Sequence, residues 1–125
     1  MNWIKKRFFN RKTSNRYQQK PSYEELVEQL YDKELDYIDE VVRVIYSKDK
    51  SMRYVITKNT QDILKYQLEK VYQNDEEDLL YIGINEKVVW GYWMPNGSSD
   101  ASFFNNIDDL MKAIKWEPTY IEYFE

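Results

Sequence analysis

The sequence predicts an α+β fold: an N-terminal helix followed by two ββα units, forming an antiparallel sheet of about four strands with helices packed mainly on one face. Two observations support this prediction. Runs of β-branched and aromatic residues occur in two closely spaced pairs, as they do in β-hairpins. Each pair is followed by a segment whose apolar residues recur at helical spacing. A sheet covered in this way needs only one dry face.

The first helix is predicted to begin at Ser22. Ser22 and Glu25 form a capping box just after Pro21, because the serine oxygen can accept from a backbone amide while the glutamate accepts from the amide of the cap residue. Apolar residues then recur at helical spacing to about Leu35, which predicts one packed face. These residues are Leu26, Val27, Leu30 and Tyr31.

A first hairpin and a second helix are predicted next. Residues 41–46, VVRVIY, and residues 52–58, MRYVITK, have strand composition and flank the polar turn SKDKS. Asn59 or Thr60 then offers a cap for an amphipathic helix that ends near Asn74. The apolar residues of this predicted helix are Ile63, Leu64, Leu68, Val71 and Tyr72.

The second ββα unit is predicted in the last third of the chain. Residues 79–84, LLYIGI, and residues 87–94, KVVWGYWM, form the hairpin, although no glycine lies in the turn between them. Residues 105–116 form an amphipathic helix capped by Asn105 or Asn106, with its apolar face at Ile107, Leu110, Met111 and Ile114. Pro118 ends this helix, and residues 119–124, TYIEYF, offer a closing strand.

The chain divides into a basic arm, residues 1–20, and a single acidic domain, residues 21–125. The arm holds seven of the 18 basic residues and none of the 22 acidic ones, so the domain has 11 basic against 22 acidic side chains and a net charge of -11. No apolar run approaches the roughly 20 residues that span a bilayer, and no secretory signal follows the basic start. We expect a cytoplasmic protein, with peripheral attachment to a membrane left open.

The composition excludes several kinds of catalytic and cofactor site. Histidine and cysteine are both absent, which removes Ser-His and Cys-His nucleophile pairs and the common zinc sites. The three glycines, Gly83, Gly91 and Gly97, cannot build a P-loop or a dinucleotide-binding turn. We expect a protein that is not an enzyme and has no cofactor and no metal. An enzyme that uses carboxylates or Mg²⁺ is the least favoured alternative.

Two neighbouring features are candidates for a partner-binding surface. The first is an acidic loop at Asp75, Glu76, Glu77 and Asp78. The second is the strand at residues 87–94, where alternation puts Trp90 and Tyr92 on one face and Trp93 on the other. The favoured interpretation is that the helix at residues 22–35, or a second copy of the chain, covers the other face. The alternative is that Trp90 or Trp93 anchors a partner.

The basic arm has three interpretations. It could form a short amphipathic helix on an anionic membrane, or a tail that neutralises nucleic-acid phosphates. The favoured interpretation is that it folds back onto the acidic domain or onto a second copy, because opposite charges lie within one chain. The arm residues that carry these interpretations are Trp3, Lys5, Lys6, Arg7, Phe8, Arg11 and Lys12.

The sequence therefore favours a small non-enzymatic protein-binding module whose acidic, aromatic-rich surface engages a basic protein. Lys, Asn, Ile and Tyr, which have A/T-rich codons, make up 44 of the 125 residues. This suggests a bacterial or phage source, where small acidic inhibitors such as immunity proteins have this character. The alternative is a peripheral nucleic-acid-binding or membrane-associated factor that acts through the arm.

Overall fold

The computed structural model describes residues 20–33, 35–75, 89–97 and 102–125. They form an α+β fold with one four-stranded antiparallel sheet in the order β1-β2-β3-β4. The strands are β1 (Glu40–Tyr46), β2 (Met52–Lys58), β3 (Leu64–Gln73) and β4 (Gly91–Pro95). The helices are α1 (Tyr23–Leu30), α2 (Ile107–Lys115) and α3 (Pro118–Tyr123). Within these residues, no helix combines the length and apolarity needed to cross a membrane.

Helix α1 begins with the capping box that the sequence predicts. The Ser22 hydroxyl accepts from the amide of Glu25 at 3.1 Å, and the Glu25 carboxylate accepts from the amide of Ser22 at 2.8 Å. The helix is shorter than predicted and ends at Leu30, before Leu35. Asp32 has a φ of 61°, a left-handed conformation that an α-helix does not continue through.

The β1–β2 hairpin is present where the sequence predicts it. Val44 pairs with Val55 across the two strands, and the register shifts between Val41 and Arg43. Asp49 closes the turn, because its Oδ1 atom accepts hydrogen bonds from the side chains on both sides of it and from a backbone amide. These donors are the hydroxyls of Ser47 and Ser51 and the amide of Ser51.

The predicted helix between Asn59 and Asn74 is wrong, because this region contains strand β3. Leu64, Tyr66 and Leu68 alternate along the strand and pack in one core, so their true period is two residues. The i, i+4 spacing of Leu64 and Leu68 fits both a helix and a strand, which is why the sequence was ambiguous. The Asn59 side chain accepts from two amides of the β2–β3 turn instead of capping a helix. The first predicted ββα unit is therefore a three-stranded meander.

The described helices pack on both faces of the sheet, two on one face and one on the other. Cross-strand pairs place Tyr54 beside Leu68 and Arg53 beside Glu69, on opposite faces. Helices α2 and α3 cover the Tyr54 face, and α1 covers the other. The first core contains Tyr54, Ile56, Leu64, Leu110 and Ile114, and the second contains Leu26, Val27, Val71 and Trp93.

The C-terminal segment is helix α3 and not the predicted strand. Helix α2 ends at Lys115, and Pro118 begins α3. Proline suits the first turn of a helix, because its fixed φ is already helical. Tyr120 and Phe124 lie one turn apart, and the Phe124 ring is 4.8 Å from that of Tyr54. Asn106 caps α2 through its side-chain oxygen, as predicted. The predicted strand at residues 79–84 and its turn lie outside the described residues.

Candidate functional site

The residues that the sequence nominates for partner binding do not form one surface among the described residues. Asp75 is exposed just after β3. The remaining acidic-loop residues and the arm residues lie outside the described ranges. They are Glu76, Glu77 and Asp78, and Trp3, Lys5, Lys6, Arg7, Phe8, Arg11 and Lys12.

The tryptophans of β4 and its approach belong to the packing under α1. Trp93 is 7% exposed, and its indole N–H donates to the carbonyl of Leu30 at 2.9 Å. Trp90 is half-buried against the same core, and its indole nitrogen has no acceptor among the described residues. Helix α1 thus covers the second face of the sheet. Tyr92 lies on the opposite face from Trp93, with its ring 5.3 Å from that of Tyr72.

A buried ionic network lies between the sheet and the chain that follows α1. Arg53 is fully buried, and its Nε donates to Oε1 of Glu69 at 2.6 Å. Its Nη1 donates to the carbonyl of Lys33 at 2.7 Å, and its guanidinium carbon lies 4.1 Å from the Trp93 ring centroid. The Tyr37 hydroxyl donates to the other carboxylate oxygen of Glu69. The sheet therefore holds residues 33 and 37 by charged hydrogen bonds, which are stronger than neutral ones.

This network fixes how the segment before β1 presents its side chains. Burial, followed by the hydrogen bond to Glu69, raises the pKa of Tyr37 well above its usual range, so this hydroxyl remains a donor at neutral pH. With Tyr37 turned toward the sheet, the neighbouring Ile38 side chain is fully exposed. Asp36 and Asp39 flank it, the first exposed and the second half-buried. We call residues 36–39 the Ile38 loop.

A cleft of about 760 Å³ opens beside the Ile38 loop. Phe103, whose side chain is 64% exposed, lines it together with the loop. Lys65, Gln67 and Glu69 of β3 and Thr57 of β2 add polar side chains to the lining. We call this space, lined by Asp36, Ile38, Asp39, Lys65, Gln67 and Phe103, the Ile38 cleft.

The lining of the Ile38 cleft combines apolar and charged side chains. It includes the apolar side chains of Ile38, Pro95 and Phe103 and the carboxylates of Asp36, Asp39 and Glu69, and it has neither a thiol nor an imidazole. Within the described residues there is no group of three or more potential metal ligands that could hold an ion. Ile38 and Phe103 are both large exposed apolar side chains that line this cleft, and exposed apolar side chains that lie together favour a contact surface.

Sequence reasoning missed the Ile38 loop, although a signal was present. Ile38 is an apolar residue in the acidic segment DKELDYIDE and falls outside both the preceding helical pattern and the following strand. The Arg53–Glu69 pair that fixes the loop had no such signal, because these residues meet only when β2 and β3 pair. No protein-family model matches this chain, and no curated protein or solved structure is detectably similar to it.

Proposed function

We propose that this protein is a non-enzymatic binding module that engages a basic protein through the Ile38 loop and the Ile38 cleft. The observation that carries the proposal is the full exposure of the Ile38 side chain on a loop that Tyr37 ties to the buried Glu69. Burying an isoleucine side chain contributes about 1.5–3 kcal/mol. A partner with an apolar pocket would gain this free energy without first having to order the loop.

The charges around Ile38 favour a basic partner. Asp36 and Asp39 flank it, and residues 21–125 together carry a net charge of -11. Such a field speeds the encounter with a positively charged protein and disfavours acidic competitors. Phe103 lines the same cleft and offers a second exposed apolar side chain. An inhibitor or immunity-type protein, which blocks a basic effector by covering its surface, is the class that best fits this arrangement.

The test is co-purification of the tagged full-length protein from its source cells at low and high salt, followed by affinity measurements with the captured protein. We expect a basic protein in 1:1 stoichiometry, and we expect Ile38→Ala to weaken its binding by roughly 30-fold, the effect of losing about 2 kcal/mol at a hot spot. Asp36→Asn with Asp39→Asn should slow association and reduce its dependence on salt.

Ile121→Ala is the matched control, because Ile121 is also exposed but lies on α3 and does not line the Ile38 cleft. It should bind as the wild type does. Equal binding by the Ile38→Ala variant would contradict the proposed surface. Recovery of only nucleic acid or lipid, lost at high salt, would favour the alternative function through the basic arm.

A further inference from the structure

A second cleft, of about 700 Å³, opens where β3 and β4 meet the β1–β2 turn and α3. Its lining is rich in tyrosine and methionine, side chains that bind aromatic rings and cations well. We call it the Tyr72 cleft, and the lining residues that matter here are Tyr23, Asp49, Met52, Tyr72, Met94 and Tyr123. The two clefts use different parts of β3: Lys65 and Gln67 line the Ile38 cleft, whereas Lys70, Tyr72 and Gln73, nearer the end of the strand, line the Tyr72 cleft.

Among the described residues, the charged side chains that line the Tyr72 cleft are one carboxylate, Asp49, and one lysine, Lys70. Partial burial raises the pKa of Asp49, but the hydrogen bonds from Ser51 and Ser47 outweigh it and hold this pKa below its usual value. Asp49 is therefore a carboxylate at neutral pH. Burial, together with the charges of Asp49 and Glu24, raises the pKa of Tyr23. The charge of Glu122, with a contribution from Asp49, raises the pKa of Tyr123.

The basic arm joins the domain at the rim of this cleft. The carbonyl of Pro21 accepts a hydrogen bond from the side-chain amide of Gln73 at 2.8 Å, and Gln73 lines the cleft. Tyr23, two residues further on, also lines it. Residues 1–19 are thus attached directly beside the Tyr72 cleft, and 19 residues reach about 60 Å when extended, so their length does not prevent them from entering it.

We propose that residues 1–19 dock in the Tyr72 cleft of the same chain. This segment contains Trp3, Phe8 and Phe9, which suit the tyrosine and methionine lining, and it has six basic residues and no acidic one. Its lysines and arginines would meet Asp49 and the faces of the tyrosine rings. The arm then covers an aromatic surface of its own domain, and this docking does not depend on the function proposed for the Ile38 cleft.

The absence of native cysteine makes a site-specific test possible. A spin label attached to the Asn10→Cys variant of the full chain should broaden the methyl NMR signals of nearby methionines. We expect loss of intensity at Met52 and Met94, which line the Tyr72 cleft, and a smaller loss at Met111, which packs on the Tyr54 core and does not line it. Equal losses at all three, or none, would overturn the proposal.

A mixed sample distinguishes docking within a chain from docking onto a second copy. It contains the spin-labelled Asn10→Cys variant without isotope label and the isotope-labelled native chain, which has no cysteine and no spin label. Broadening in the mixed sample would contradict docking in the same chain. Tyr72→Ala should reduce the broadening at Met94, and Tyr123→Ala provides a second variant in case the first is misfolded. Phe103→Ala, in the Ile38 cleft, is the matched control and should leave the broadening unchanged. Loss of the broadening in the Phe103→Ala variant would place the arm in the Ile38 cleft and overturn the proposal.

Discussion

Arg53 is the residue on which both the core and the Ile38 loop depend. A buried guanidinium is costly unless its charge and its N–H groups are satisfied. Here the Glu69 carboxylate supplies the opposite charge, the Lys33 carbonyl accepts a second hydrogen bond, and the Trp93 ring lies against the guanidinium. The partners come from β3, from the chain after α1 and from β4, so this one side chain joins three parts of the fold.

We expect Arg53→Met to destabilise the protein by about 3–5 kcal/mol, because it leaves the Glu69 carboxylate buried without its opposite charge. Urea denaturation of the single variants and of Arg53→Met with Glu69→Leu tests this as a double-mutant cycle. The double variant should be more stable than Arg53→Met alone. A double variant that is no more stable would show that the ion pair is not the source of the loss.

At the scale of elements, the sequence predicted those features that neighbouring residues determine. The Ser22 and Asn106 caps and the β1–β2 hairpin could be predicted, because each depends on residues only a few positions apart. Strand β3 could not, because the spacing of its apolar residues fits two periods and the choice depends on pairing with β2. The anchor of the Ile38 loop could not be predicted either, since it is a contact between Tyr37 and Glu69 across 32 positions.

Strand β4 is packed so closely beneath α1 that only glycine fits at its first position. A Cβ atom at Gly91 would lie 2.4 Å from a methyl carbon of Leu26 and 2.6 Å from the backbone oxygen of Tyr72. Gly91→Ala should therefore move β4 or α1 and destabilise the protein by about 1–3 kcal/mol. Thermal denaturation gives the measurement.

A compensating variant distinguishes the two contacts at Gly91. Adding Leu26→Ala removes the side-chain clash but leaves the clash with the Tyr72 carbonyl, so we expect less than additive destabilisation and no return to the stability of the Leu26→Ala variant. Full additivity would indicate that the contact with Leu26 does not limit position 91.

At the scale of the whole molecule, the sheet is enclosed between α1 and the α2–α3 pair, and this arrangement accounts for the aromatic content. All six residues from Met52 to Thr57 of the central strand β2 are buried, because both of its faces are covered. Trp93 belongs to the core on one face of the sheet, and Tyr54 belongs to the core on the other. Trp93 and Trp90, which the sequence offered as partner contacts, are therefore used to hold the layers together, whereas Ile38, Phe103 and the Tyr72 cleft are among the exposed apolar surfaces of the described residues.

The same layers link the stability of the whole protein to alkaline pH through Tyr54. Its hydroxyl donates to Glu117, between α2 and α3, at 2.7 Å, and Tyr66 donates to the other oxygen of this carboxylate. Burial, followed by the hydrogen bond to Glu117, raises the pKa of Tyr54 far above the usual range of a tyrosine. Above about pH 10 the unfolded chain loses this proton while the folded protein retains it, so the free energy of unfolding falls as the pH rises further.

We expect Tyr54→Phe to be less stable than the wild type at pH 8, because it loses the hydrogen bond to Glu117, but to lose less additional stability between pH 9 and pH 11. Urea denaturation at a series of pH values measures both effects. Ile56→Val is the matched control: Ile56 is buried in the same core, and this variant should be destabilised by about 0.5–1.5 kcal/mol without a change in pH dependence. If Tyr54→Phe and Ile56→Val showed the same dependence on pH, the contact between Tyr54 and Glu117 would not be the alkaline-sensitive link between the sheet and the C-terminal helices.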